Sequence, residues 1–217
     1  MKIINVEAFL MSYEMPEPQK LPFWGGDRTI VKRDAMLIRV TTDSGLKGYA
    51  PGPAHERAAK EINGKIRSYL IGKDPNDWNK LSFHSHPEIM KTYHAVEIAL
   101  LDLVGRYEGC AISELVGGRK RSDIKLYGSA GMYMSHEKYA DEAAAIADMG
   151  FPAYKMRPGI GPVDDLKTVE LMRQAAPDLG LMVDAHTWWR MGDRSYRYLQ
   201  IEQLAQAMSA FHPVWLE

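Results

Sequence analysis

Three short stretches place chemistry-bearing side chains at the ends of apolar runs. "GLMVDAH" (180–186) carries Leu181, Met182 and Val183, then Asp184 and, one alternation later, His186. "AYKMR" (153–157) ends in Lys155 and Arg157, two residues apart and so on one face of a strand. "HPVWLE" (212–217) ends in Glu217. In parallel α/β folds, ligands collect at the C-terminal ends of strands. Two carboxylates converging there are hard oxygen ligands suited to Mg2+. Two cations beside them would bind and polarise an anionic substrate. Such a set begins a site for proton abstraction next to a carboxylate. Each residue alone also has an ordinary role, as turn former, helix cap or solvated cation. The functional reading rests on the recurrence of the pattern in three successive units.

The elements that must carry these residues follow from periodicity. Apolar strand candidates lie at 124–130, 151–157, 180–186 and 213–217, and helical composition fills 136–149, 163–176 and 195–210. Asp164, Asp165 and Glu202 fall in or near the first helical turns, where the helix dipole favours acids. Strand and helix alternating in this way predict βαβ units and a parallel sheet, either an open doubly wound sheet or part of a (β/α)8 barrel. The sequence stops inside the fourth strand candidate. A closed barrel typically needs ~250 residues, so a chain truncated within barrel strand four is expected, with a natural small domain as the alternative.

The preceding residues read differently. "KIINVEAFLMSY" predicts a strand, and "DAMLIRVTTDSGLKGYAP" predicts two strands joined by a turn at Asp43-Ser44-Gly45. Between them, "EMPEPQKLPFWGGDRTIVKR" is dense in Pro and Gly and reads as a loop or flap. Helical spacing covers His55 to Leu70 and "KTYHAVEIALLDLVGRYEG", with Val96, Leu100, Leu103 and Val104 on one stripe. A short helical turn, "AISELVGG", stops at Gly117-Gly118. The expected organisation is an α+β domain over 1–122 and a β/α domain over 123–217.

Composition narrows the function classes. The 217 residues are 46% hydrophobic and 25% charged with net charge −1, a globular balance without a nucleic-acid or polybasic membrane footprint. The single cysteine, Cys110, excludes an intrachain disulfide framework and fits a reducing compartment. "MKIINVEAFL" does not read as a signal peptide, and no run approaches the ~20 apolar residues of a membrane span. A cytoplasmic protein is expected. Gly159-Ile-Gly161 lacks a third glycine and is no dinucleotide fingerprint. His84 and His86 could share a strand face but have no further ligands nearby in sequence. Trp188 and Trp189 read as site-wall residues or as packing.

Together these stretches resemble the mandelate racemase/muconate lactonizing enzymes of the enolase superfamily. "YLIGKDPNDWNKL" resembles the capping-domain segment, and "AVEIALLDLVGRYEGCAISELVGGRKRSDIKLYGS" the long helix, Leu-Leu-Gly-Gly turn and entry to barrel strand one. "AYKMRPG" stands at the Lys-x-Lys site, "LMVDAH" at the first metal ligand, and "HPVWLE" inside the Trp-Leu-Glu-Glu-Pro motif at the second. The resemblance implies an α+β capping domain followed by the first half of a (β/α) TIM-type barrel. It implies Mg2+ held by Asp184, Glu217 and a third acid beyond the sequence, with the cations stabilising an enediolate after α-proton abstraction. Capping-domain loops would read the substrate, here Phe23, Trp24 and Arg28 on the flap and His55. A small-molecule carboxylate is the expected partner, and the full-length protein is expected to form a homo-oligomer.

Two departures from the family pattern are informative. Arg157 replaces the second lysine, and a guanidinium is a poor base but a good carboxylate clamp. His186 stands where many members carry Asn. Asp-x-His resembles the acid-sugar dehydratases of galactonate and mannonate type, in which that His helps hydroxide depart. The expectation is a Mg2+-dependent lyase, a sugar-acid dehydratase with Lys155, Arg157 and His186 as its catalytic set. The alternatives are a racemase, epimerase or cycloisomerase using Lys155, or an inactive truncated product.

Overall fold

In the computed structural model, which describes residues 1–21, 28–81, 87–132, 134–185 and 196–217, the chain divides into two compact units. Met1–Pro16 joins Lys32–Ser122, and Glu17–Val31 joins Asp123–Glu217.

The first sheet follows from period-two burial. Strands β1 (Ile3–Leu21), β2 (Arg28–Thr42) and β3 (Lys47–Pro51) lie in the order β1-β2-β3, with β2 and β3 antiparallel. Met36, Ile38 and Val40 turn inward, and the chain reverses through the expected Asp43-Ser44-Gly45 turn. The Pro-rich segment departs from expectation. Residues 14–21 and 28–33 are strand rather than loop. Because β1 is an edge strand, Pro16 and Pro18 can share an outward-facing side where no ladder donor is required.

The helix expected over 55–70 forms as α1 (Glu56–Glu61), a π-helical turn (Ile62–Ile66) and α2 (Arg67–Leu70). Its core residues Ala58, Ile62, Ile66 and Leu70 recur every four positions. On a 3.6-residue helix that spacing drifts by about 40° per step, and the wider turn absorbs the drift. The same turn presents Asn63, whose Oδ1 accepts from the Ala8 N–H at 2.9 Å. Helix α3 (Pro87–Glu108) buries Val96, Leu100, Leu103 and Val104, the stripe that the spacing predicts. It packs so closely on β3 that a Cβ at Gly48 would collide with the Ala99 carbonyl and Leu103. Helix α4 (Ile112–Leu115) then stops before Gly117 and Gly118, both at positive φ.

The second unit is a parallel sheet of β4 (Gly128–Met132), β5 (Ala153–Arg157), β6 (Gly180–Val183) and β7 (Trp215–Leu216), in the order β4-β5-β6-β7. Helices α5 (His136–Asp148), α6 (Pro162–Ala175) and α7 (Tyr198–Ser209) connect them. Tyr154, Met156, Leu181 and Val183 turn to the helix side and share one core with Tyr139, Ile146, Val169, Met172, Leu204 and Met208. The first strand begins later than expected. Ile124 and Leu126 alternate like a strand yet lie exposed, because the facing strand β5 starts only at Ala153, opposite the end of that run. Among the described residues, no helix is long and apolar enough to cross a membrane.

Candidate functional site

With Tyr154 and Met156 committed to the core, strand alternation sends Lys155 and Arg157 to the opposite face of the sheet. The register pairs Lys155 with Met182 and Met182 with Trp215, forming one layer across three strands. One step further, the Asp184 N–H donates to the Met156 carbonyl at 2.9 Å and the Glu217 N–H to the Val183 carbonyl at 2.8 Å. The Ala185 N–H closes the edge on the Glu217 carbonyl at 2.8 Å. Arg157, Asp184 and Glu217 therefore occupy the C-terminal ends of three neighbouring strands.

Their side chains meet. Lys155 Nζ lies 2.7 Å from Asp184 Oδ2 and 3.5 Å from Glu217 Oε2. Arg157 Nε donates to the same Asp184 Oδ2 at 3.0 Å. The Asp184 side chain is 5% exposed, Lys155 11% and Glu217 65%. The Asp184 hydrogen bond, reinforced by the charges of Asp184 and Glu217, raises the Lys155 pKa above its ordinary value. Lys155 is thus an ammonium bridging two carboxylates, and it also lies 5.8 Å from the centroid of the Trp215 ring.

A divalent cation suits this donor set in kind. Both carboxylates are hard oxygen donors from adjacent strand ends, and a positive group already stands within reach of both. Asp184 and Glu217 would hold the ion. Among the described residues, no group of three or more His, Cys, Asp or Glu gathers as a metal cluster.

His55 belongs to the first unit and caps α1, its Nδ1 accepting from the Ala58 N–H at 3.1 Å. Arg28 opens β2, and its side chain lies outside the described residues. Phe23, Trp24 and His186 also lie outside them, as do His84, His86, Trp188 and Trp189. Sequence reasoning missed the residues that brace the strand ends. Tyr139, fully buried, donates from its hydroxyl to the Arg157 carbonyl at 2.8 Å. Asp165 was expected only as a helix-dipole acid, yet it is fully buried. A legible signal was available in its place on the helical stripe of Thr168, Val169 and Met172.

Comparison with known proteins matches residues 7–117 to the mandelate racemase / muconate lactonizing enzyme N-terminal domain family. Residues 138–217 match the enolase C-terminal domain-like family. The chain is 28% identical over 202 residues to the D-galactarolactone cycloisomerase of Agrobacterium fabrum, covering 86% of this chain and 52% of that protein. It is 24% identical over 204 residues to the cis-3-hydroxy-L-proline dehydratase of Roseibium aggregatum, covering 87% and 54%. The crystal structure of an enolase superfamily member from Polaromonas sp. JS666 superposes with a TM-score of 0.80 at 26% identity, covering 100% of this chain and 58% of that one. The chain spans about half the length of the curated relatives it matches.

Proposed function

The chain belongs to the mandelate racemase/muconate lactonizing enzyme family of the enolase superfamily, and we propose that it serves a Mg2+-dependent dehydratase of a sugar acid. Its parallel sheet corresponds to the first half of that superfamily's barrel. Members of the superfamily are enzymes that generally use Mg2+, and the matched relatives include cycloisomerases, racemases, epimerases and dehydratases.

The observation that carries the reading is the guanidinium of Arg157 in one layer with Asp184 and Glu217. A racemase needs bases on both faces of the α-carbon, and a guanidinium stays protonated at any working pH. A dehydratase needs one base and one acid. Arg157 binds the substrate carboxylate in planar fashion, and Lys155 adds a second positive charge beside it. Asp184 and Glu217 would hold Mg2+, which would supply positive charge to offset the negative charge developing on the substrate carboxylate. The α C–H bond breaks towards a base, the β C–O bond breaks, and His186 delivers a proton to the departing hydroxide so that it leaves as water. The enol then tautomerises to a 2-keto-3-deoxy acid.

Incubating the intact protein with MgCl2 and a library of acid sugars tests this reading through the appearance of 2-keto acids. Formation of a 2-keto-3-deoxy acid from at least one substrate supports it. An epimer without keto acid would replace it with a racemase or epimerase, and a ring-opened or ring-closed isomer with a cycloisomerase. No turnover of any member by folded, Mg2+-loaded protein would leave the inert reading.

A further inference from the structure

The first turn of α6 carries two adjacent acids that turn to different neighbours. Asp164 lies half-exposed, its Oδ1 3.4 Å from His136 Nε2 at the start of α5. Asp165 is fully buried on the apolar stripe of the helix, where an unpaired carboxylate would be costly. Its Oδ1 accepts from the N–H groups of Gly159 at 3.0 Å and Ile160 at 3.1 Å. Its Oδ2 accepts from the Tyr196 hydroxyl at 2.6 Å, and that hydroxyl in turn accepts from the Gly161 N–H at 2.7 Å. Three consecutive backbone donors of the β5–α6 loop thus end on one carboxylate and one phenol. Burial and the Asp165 carboxylate hold the Tyr196 phenol well above its ordinary pKa, so it remains a donor.

The loop needs this support. Gly159 and Gly161 sit at φ 152° and 131°, which L side chains rarely adopt, and both are buried. The loop also starts at the residue after Arg157, whose carbonyl is already held by the Tyr139 hydroxyl. Tyr196 lies between β6, whose end carries Asp184, and α7. The network therefore ties the connection leaving Arg157 to the connection leaving Asp184.

We propose that Asp165 and Tyr196 are positioning residues for Arg157, fixing the Gly159–Gly161 loop so that the end of β5 holds the guanidinium against Asp184. The functional value of that placement rests on the carboxylate-clamp reading above. Neither residue touches the reacting atoms; each acts through the loop.

Amide and arginine Nε–H hydrogen exchange, followed by NMR on the full chain, tests the proposal. Tyr196→Phe removes the donor to Asp165 and the acceptor for Gly161 while keeping the ring. The expected result is exchange about tenfold faster at Gly159–Gly161 and at Arg157 Nε–H, the worth of one good hydrogen bond. The Leu181 and Val183 amides and Arg39 Nε–H, which is bonded to Glu7 in the other unit, should keep wild-type rates. Faster loop exchange with an unchanged Arg157 Nε–H would overturn the proposal, as would no change at either. Should Tyr196→Phe speed exchange evenly through the second unit, Asp165→Asn decides, because it keeps both size and one acceptor oxygen. Acceleration confined to the loop and Arg157 then supports the proposal, and uniform acceleration overturns it. A failed clamp role for Arg157 would show instead in substrate titrations and would leave these exchange rates as expected.

Discussion

Lys155 Nζ and Asp184 Oδ2 stand 2.7 Å apart on neighbouring strands, both side chains nearly buried. Removing the ammonium takes one positive charge from the buried Asp184 carboxylate and leaves the Arg157 guanidinium beside it at 3.0 Å. Lys155→Met should therefore destabilise the protein by about 2 kcal/mol at neutral pH, below the cost of orphaning a buried charge outright. Because the folded-state pKa of Lys155 is raised, its stabilisation is complete at neutral pH. It is lost only as pH climbs through and above the ordinary lysine range. Urea unfolding against pH should show an alkaline decline that is weaker in Lys155→Met. Identical alkaline limbs would separate Lys155 from that decline.

Asp184 is the better buried of the two candidate metal ligands. Asp184→Asn should weaken Mg2+ binding by at least about tenfold, since a neutral amide oxygen replaces a hard anionic donor. Titration calorimetry reads this directly. Unchanged Mg2+ affinity would remove Asp184 from the metal site.

Arg157→Lys keeps the charge and loses the planar pair of donors. It should weaken binding of a 2-hydroxy carboxylate by about tenfold or more while shifting the unfolding midpoint little. If the variant gains racemisation, the guanidinium is what keeps the site from two-base chemistry. Unchanged binding would mean that Arg157 does not clamp the substrate.

Gly48 tests the packing of the first unit. An Ala at this position would drive its Cβ into the Ala99 carbonyl and Leu103, and neither backbone nor the helix stem can yield cheaply. Gly48→Ala should destabilise by about 2 kcal/mol, in the range for overpacking. A thermal transition unchanged from wild type would show that α3 has room to shift.

Much of this architecture was legible because periodicity and burial agree. The Val96–Val104 stripe, the turn at Gly45 and the four strand candidates with their three intervening helices all follow from one rule, that apolar side chains recur at the period of their element. The strand character of residues 14–21 was hidden because proline content signals a loop only where a ladder donor is needed, and edge strand β1 needs none on one side. Ile124 and Leu126 misled for the opposite reason: an alternating pattern makes a strand only where a partner lies opposite. At the site, alternation along single strands put Lys155 with Arg157, and recurrence at strand ends brought Asp184 and Glu217 to them. The helical stripe marks Asp165 as buried, but its pairing with Tyr196 was not legible, since the partner lies 31 positions away and nothing local announces the bond.

The most direct test of the proposed chemistry separates proton abstraction from departure of hydroxide. His186→Asn preserves hydrogen bonding but cannot deliver a proton at neutral pH. In D2O, with MgCl2 and an acid sugar that the protein dehydrates, the account predicts α-deuterium exchange close to wild type. Keto-acid formation should fall by ~10²–10⁴, the usual worth of a positioned acid. Exchange and dehydration falling together, or neither falling, would contradict it.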